Sequence, residues 1–217
     1  MYEAIWQRHT NRDPFTAEPI SESVREALEQ AARFEFTTMR MLSRARPPRC
    51  SICLPRRAQS WRTTSTTGSS CSDGSQRTPS GDGIPAGALP STPSRQPAPV
   101  RGDLSAASPA TIRPTADYEK FPQLAVLTTG SDEPADWIRA GQALQRVLLT
   151  ATALGLSASF LYQSIELRDM RGEAAPAWPW QENPQMVIRF GYGKQSPGAP
   201  RRPLDDVLTR AAAAGHR

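Results

Sequence analysis

Arg8-His9-Thr10-Asn11-Arg12 is the first run in the chain whose residue types could do chemistry. Two guanidinium groups four positions apart, with an imidazole and a hydroxyl between them, are rich in hydrogen-bond donors and positive charge. Such a set can wrap a phosphate through charge-assisted bonds. The same spacing also describes a solvated i,i+4 arginine pair at a helix end. A second candidate is Arg201-Arg202, immediately before Pro203, which reads as the first residue of the last helix. Two arginines ahead of a helix N-terminus suit an anion, while simple pairing with Asp205 or Asp206 accounts for them equally well. A third feature is Gly155-Leu156-Ser157, a sharp return after a long helical run. Cys50 and Cys53 form a CxxC, but no second CxxC or His pair stands at zinc spacing, so no metal site is expected.

Positioning these residues falls mainly to the stretch from Phe121 to Leu208. PQLAVLTTG and PQMVIRFGYG concentrate Val, Ile and Leu in short runs bounded by Pro and Gly, as buried strands do. Between them a long helix is predicted from about Pro134 to Leu154, with Ile138, Gln142, Leu144, Val147, Leu148, Ala151 and Leu154 largely on one face. Pro134 lies just inside its start and Gly155 just past its end. A short helix is predicted around Ile165 to Arg171, and the last strand over Met186 to Phe190. Upstream, Tyr2, Ile5 and Trp6 suggest a short helix, and ISESVREALEQAARFE an amphipathic one. Ser21 or Ser23 would cap the latter, with Val24, Leu28 and Ala31 on its buried face. The uncharged run from Val147 to Tyr162 is interrupted by Thr, Gly and Ser and falls short of the roughly 20 apolar residues that span a bilayer. No membrane association is expected, and the polar start, Met1 to Asn11, lacks the apolar stretch of a secretory signal, so a cytoplasmic protein is expected.

The formal charge of +5 is unevenly placed. Thr37 to Ala116 carries 11 Arg, no Lys and 3 Asp, leaving 15 basic and 18 acidic residues elsewhere. The basic excess belongs to one unusual segment, so no nucleic-acid partner is expected. Residues 43 to 80, mostly Arg, Ser, Thr and Pro, show neither helical nor strand periodicity and read as a disordered linker. They also read as out of frame. Shifted by one nucleotide, codons for Thr63-Thr64-Ser65-Thr66 can spell Asp-Asp-Glu-Tyr or Asp-Asp-Glu-His, and those for Cys50 to Cys53 can spell Val-Leu-Asp-Leu. Residues 81 to 118 form a Pro/Gly/Ser connector expected to add little core. The chain therefore divides into 1–42, a connector over 43–118, an α/β core over 119–208 and a tail over 209–217.

Three separated phrases, R-H-T-N-R-D-P-F from Arg8 to Phe15, A-L-G-L-S at the end of the long helix, and G-Y-G…P-R-R-P-L-D-D-V-L, together resemble the nitroreductase-like flavoprotein superfamily. ARFEFTT, from Ala32 to Thr38, adds similarity to the Acg-type FMN-binding oxidoreductases. The resemblance covers roughly residues 1 to 42 and 81 to 208. It implies an α+β fold, a nitroreductase-like sheet flanked by helices with one long central helix. It also implies non-covalently held FMN, with NAD(P)H as electron donor, a small-molecule electron acceptor and a homodimer. On this resemblance Arg8, His9 and Thr10 meet the FMN phosphate and ribityl chain, and Arg12 lies near the pyrimidine edge of the ring. Gly155, Leu156 and Ser157 approach the ring, and Arg201 and Arg202 meet the phosphate. Hydride transfer by a flavin needs no protein nucleophile, so no catalytic acid or base is implied. Acg-type chains resemble a fused pair of lobes with an early Asn-x-Gln-Pro-Trp-like flavin contact. Met1 starts just before the Arg8 cluster, which implies an N-terminally incomplete lobe. An FMN-sequestering protein without nitroreductase turnover, or a non-functional fragment, are the alternatives to an enzyme.

Overall fold

The computed structural model describes residues 1–42, 89–94, 114–161, 182–194 and 202–208. In chain order the elements are α1 (Tyr2–Gln7), α2 (Glu22–Arg33), β1 (Thr38–Met41), β2 (Thr92–Pro93), β3 (Thr115–Ala116), β4 (Gln123–Thr129), α3 (Pro134–Ala153), β5 (Ser157–Phe160), β6 (Asn183–Gly191) and α4 (Leu204–Val207). The expectations for residues 43 to 80, for a helix around Ile165 to Arg171 and for Arg201 lie outside the described residues.

Four strands form an antiparallel sheet in the order β1-β4-β6-β5. All of β4 is buried, so both faces of the sheet centre are covered. Because side chains alternate along a strand, Ala125 and Leu127 of β4 share a face with Ile188 and Phe190 of β6 and with Ala158 of β5. That face joins Leu28, Ala31 and Ala32 of α2 and Ala140, Ala143, Val147 and Ala151 of α3 in one core cluster. The expected pairing of the two apolar runs as neighbouring strands with the long helix on one face is therefore observed. β4 and β6 slip register after Leu127, where Thr128 faces Pro184 and Gln185 is the extra residue. A bulge there accommodates a proline that a regular ladder would exclude.

The helix boundaries follow local chemistry. Ser21 caps α2 by accepting from the Val24 N–H at 3.4 Å, which decides between the two serines in favour of the first. Pro134 opens α3, where its missing N–H costs nothing. At the far end Gly155 has φ of +76°, the Leu156 N–H donates to the Ala151 carbonyl at 2.8 Å and the Gly155 N–H to Thr152 at 3.0 Å. That pair of bonds is a Schellman closure, and it needs a residue content in the left-handed region.

The buried face of α3 differs from the expected one. Val147, Leu148 and Ala151 are buried as predicted, but Ile138 is 67% and Leu154 41% exposed, and Gln142 is exposed as well. Asp136, Ala140 and Ala143 complete the inner face instead. Alanines permit a close helix approach, so small residues sit innermost and the bulky Trp137 and Ile138 of the first turn are left outside. Asp136 is tolerated there because Ser131 hydrogen-bonds its carboxylate and Arg139 lies 3.1 Å away. These partners, the Ser131 bond foremost, hold its pKa below the ordinary value against the opposing effect of burial.

Two parts of the 81–118 connector pack more closely than expected. Leu89, Pro90 and Ser91 are buried, and β2 pairs in parallel with β3. The reason is polar: Asp13 Oδ1 accepts from both the N–H and the hydroxyl of Ser91, at 2.9 and 2.8 Å. At the end of the chain Pro203 precedes α4 rather than opening it, and its carbonyl accepts from the Asp206 N–H at 3.1 Å.

Candidate functional site

α1 ends at Gln7, and Arg8 already has extended backbone. The reading of Arg8 and Arg12 as an i,i+4 pair on a helix end is thereby excluded, since the chain from Arg8 leaves the helix and runs across the sheet edge. β5 is the last strand of the sheet, and its outer edge receives this segment: Thr10 forms a parallel bridge with Ala158, and the Asn11 N–H donates to the Ala158 carbonyl at 2.9 Å. Ala158 is three residues beyond Gly155. The first and third candidate features, joined through Thr10 and Ala158 at 148 positions apart in sequence, are thus stitched together by backbone bonds. Arg8, His9, Thr10, Arg12 and Ser157 are each half-buried, while Leu156 is buried in the core. Arg202 is exposed on the approach to α4.

A second tier of residues, invisible to motif reasoning, fixes the path of this loop. Asn11 is buried. Its Oδ1 accepts from the Asp13 N–H at 3.0 Å and its Nδ2 donates to the Lys194 carbonyl at 2.7 Å. Arg189, near the end of β6 and only 3% exposed, donates from Nη2 to the Asp13 carbonyl at 2.9 Å and from Nη1 to Ser159 Oγ at 3.2 Å. Its charge is met by Glu119, whose side chain is 7% exposed, through Nε at 2.5 Å and Nη2 at 3.1 Å. Glu119 also accepts from the Phe15 N–H at 3.2 Å. The guanidinium lies 4.0 Å from the centre of the Phe15 ring, a cation–π contact on the face turned away from α2 and α3. Tyr118 donates its hydroxyl to the carbonyls of Arg12 and Ser91 at 3.2 and 3.1 Å. Burying a charge is tolerated only with such complete pairing, and removing one partner typically costs about 3–5 kcal/mol.

The G-Y-G phrase acquires a physical reason here. A Cβ on Gly191 would lie 2.7 Å from Phe15 Cβ, and one on Gly193 would lie 2.8 Å from the Phe15 ring and 3.3 Å from Asn11 Nδ2. Both glycines let the loop settle against β6, and the Thr16 N–H then donates to the Tyr192 carbonyl at 2.7 Å. One signal for the missed network was present in sequence: Arg189 interrupts an otherwise apolar strand run between Ile188 and Phe190. A charge in that position must find a partner or distort the sheet.

The assembled groups suit a phosphate-bearing ligand. The segment Arg8–Arg12, which carries guanidinium, imidazole and hydroxyl groups, has its backbone on the outer edge of β5 at Thr10 and Asn11. Space beside Gly155 is open, because a Cβ built there meets nothing within 4 Å. The glycine is required by its positive φ, and a planar ligand could still approach its backbone. Among the described residues no group of His, Cys, Asp and Glu could hold a metal ion, and no helix is long and apolar enough to cross a membrane.

No family model matches the chain. Three proteins of Mycobacterium tuberculosis are similar in sequence. One, provisionally named NAD(P)H nitroreductase acg, is 30% identical over 131 residues, 58% of this chain and 39% of that protein. Another, provisionally named NAD(P)H nitroreductase Rv3131, is 33% identical over 135 residues, 58% of this chain and 38% of that protein. The third, the uncharacterized protein Rv3127, is 37% identical over 87 residues, 38% of this chain and 25% of that protein. The matched chain thus spans about two-fifths or less of the length of these relatives. Among solved structures, the nitroreductase-like family protein of Bacillus cereus aligns with a TM-score of 0.53 at 11% identity, covering 97% of this chain and 95% of that one. A Desulfovibrio desulfuricans protein, provisionally described as a nitroreductase and solved in complex with FMN, aligns with a TM-score of 0.52 at 17% identity, covering 97% and 96%. The helix-flanked antiparallel sheet has the fold of these nitroreductase-like structures, and over part of their length the chain is similar in sequence to the mycobacterial proteins.

Proposed function

We propose that this chain is the FMN-holding lobe of an NAD(P)H-dependent oxidoreductase of nitroreductase type. The observation that carries the reading is the backbone stitch between Thr10–Asn11 and Ala158, which sets the Arg8–Arg12 cluster beside the Gly155–Ser157 turn. In this reading Arg8, His9 and Thr10 hold the phosphate and ribityl chain of FMN, with Arg201 and Arg202 contributing at the phosphate. Arg12 sits at the pyrimidine edge of the ring, where a cation favours the negative charge that develops on reduction. Leu156 anchors the turn in the core while the Gly155 and Ser157 backbone faces the ring. FMN, when bound, supplies a two-electron carrier between NAD(P)H and a small-molecule acceptor. The side chains bind and orient it, and the chemistry requires no protein acid or base. A cytoplasmic location and a homodimer, in which a second lobe completes the flavin site, belong to the same proposal. The named relatives and the FMN complex support it by likeness.

Titrating the purified chain with FMN tests the site. The expected result is quenched flavin fluorescence and a perturbed visible spectrum that survive desalting, and free FMN throughout would refute it. Anaerobic addition of NADH or NADPH to the loaded protein then tests turnover. Bleaching of the flavin band is expected of the enzyme, whereas a yellow protein that stays oxidised is a flavin-sequestering protein.

A further inference from the structure

Around the binding loop, one buried polar pair lies outside the cationic cluster yet touches the backbone that carries it. Arg189 comes from β6 and Glu119 from the segment before β4, and their bonds converge on residues 13 to 15. A guanidinium carries five N–H donors, so the groups that meet those left over by its carboxylate decide what it holds in place. Here the fork is divided: two nitrogens engage Glu119, while Nη2 also reaches the Asp13 carbonyl and Nη1 reaches Ser159 on β5. Ser159 is the neighbour of Ala158, the residue bridged to Thr10. Arg189 therefore ties both sides of the site, the loop bearing Arg12 and the strand following Ser157, to one rigid point in the sheet.

We infer that Arg189 and Glu119 are positioning residues that set where the Arg12 guanidinium stands relative to the Gly155–Ser157 turn, and so tune the redox balance of the bound flavin. The inference rests on the flavin reading above. A positioned cation at the ring edge acts on the reduced form more than on the oxidised form. Displacing it lowers the preference for reduced flavin without abolishing the contacts of Arg8, His9 and Thr10. A buried ion pair can often be replaced by apolar residues of similar volume without loss of stability, which separates positioning from folding.

The test is a redox titration of the FMN-loaded chain carrying Arg12→Ala, the paired replacement Glu119→Leu with Arg189→Met, or all three. A second pair, Glu119→Gln with Arg189→Lys, serves if the apolar pair fails to fold. Arg12→Ala is expected to weaken the preference for reduced flavin about tenfold, a fall of about 30 mV in a two-electron couple. The paired replacement should give a shift of the same sign with an unchanged urea midpoint, and the triple variant should shift no further than Arg12→Ala alone. Without flavin, amide exchange at Asn11 and Thr16 should quicken in the paired variants while Leu156, in the helix closure, stays protected. A wild-type potential in a folded paired variant, or additive shifts in the triple variant, would overturn the inference and leave the flavin site standing. A chain that binds no FMN, or an Arg12→Ala variant with a wild-type potential, would overturn this inference together with the role given to Arg12.

Discussion

Gly191→Ala is the sharpest probe of how the loop is seated. The added methyl would stand 2.7 Å from Phe15 Cβ, 2.7 Å from Cδ2 and 2.8 Å from Cγ, far inside the roughly 3.5–4.0 Å at which carbon atoms attract. Rotating the ring cannot relieve this, because Phe15 Cβ is itself in the collision. The loop backbone cannot retreat freely either, since the Phe15 N–H is bonded to Glu119 and the Thr16 N–H to Tyr192. Overpacking of this kind costs about 1–3 kcal/mol. For a chain of this size each kcal/mol lowers Tm by roughly 2–4 °C. Urea unfolding followed by far-UV circular dichroism would show a lower midpoint at constant slope. Gly141→Ala is the control. It lies exposed inside α3, a Cβ there meets nothing within 4 Å, and the exchange should stabilise by about 0.5–1 kcal/mol. An unchanged midpoint for Gly191→Ala, or a loss for Gly141→Ala equal to it, would refute the close-packing argument.

Gly155→Ala should cost about 1–2 kcal/mol although the space beside it is open, because the cost comes from φ of +76°; calorimetry showing no loss would contradict the Schellman assignment. Arg8→Ala and Arg202→Ala should each weaken FMN binding roughly 10- to 100-fold, the worth of a charge-assisted bond, and unchanged fluorescence titrations for both would reject the phosphate site. Asp136→Asn should destabilise at pH 7, because the native carboxylate is held below its ordinary pKa of 3.8 and its charge stabilises the fold wherever the unfolded group is ionised. That advantage fades as pH falls below about 3.8 through the lower native value, so urea midpoints of the two proteins should converge in acid; a constant gap would show that charge is not the cause.

Features written in consecutive residues were legible. Pro134 and Gly155 bracket α3, Ser21 starts α2, and the apolar runs are strands, each governed by bonds within a few positions. The inner face of α3 was misread because Ile138 is more hydrophobic than Ala140, whereas close approach rewards the smaller side chain. In the site, the Arg8 cluster and the Gly155 turn could be named from their own residues and brought together only through the family resemblance, since the bridge at Ala158 leaves no trace in either segment. The bond from Asn11 to the Lys194 carbonyl and the Arg189–Glu119 pair join residues 183 and 70 positions apart, beyond any local pattern.

The 183-position span between Asn11 and Lys194 bears on how the protein is made. Chains lengthen at about 5–20 residues per second, so Asn11 is incorporated on the order of 10–40 s before the carbonyl that will anchor it exists. During that interval α1 and α2 can form from local contacts, but the arginine loop has no sheet to lie on, since β5 and β6 come late in the chain. Contacts so distant in sequence also carry the largest loop-closure cost and form slowly. The cationic segment thus spends its early life as an uncovered polybasic strand, and its capture by the newly made β5 edge is among the last events of folding.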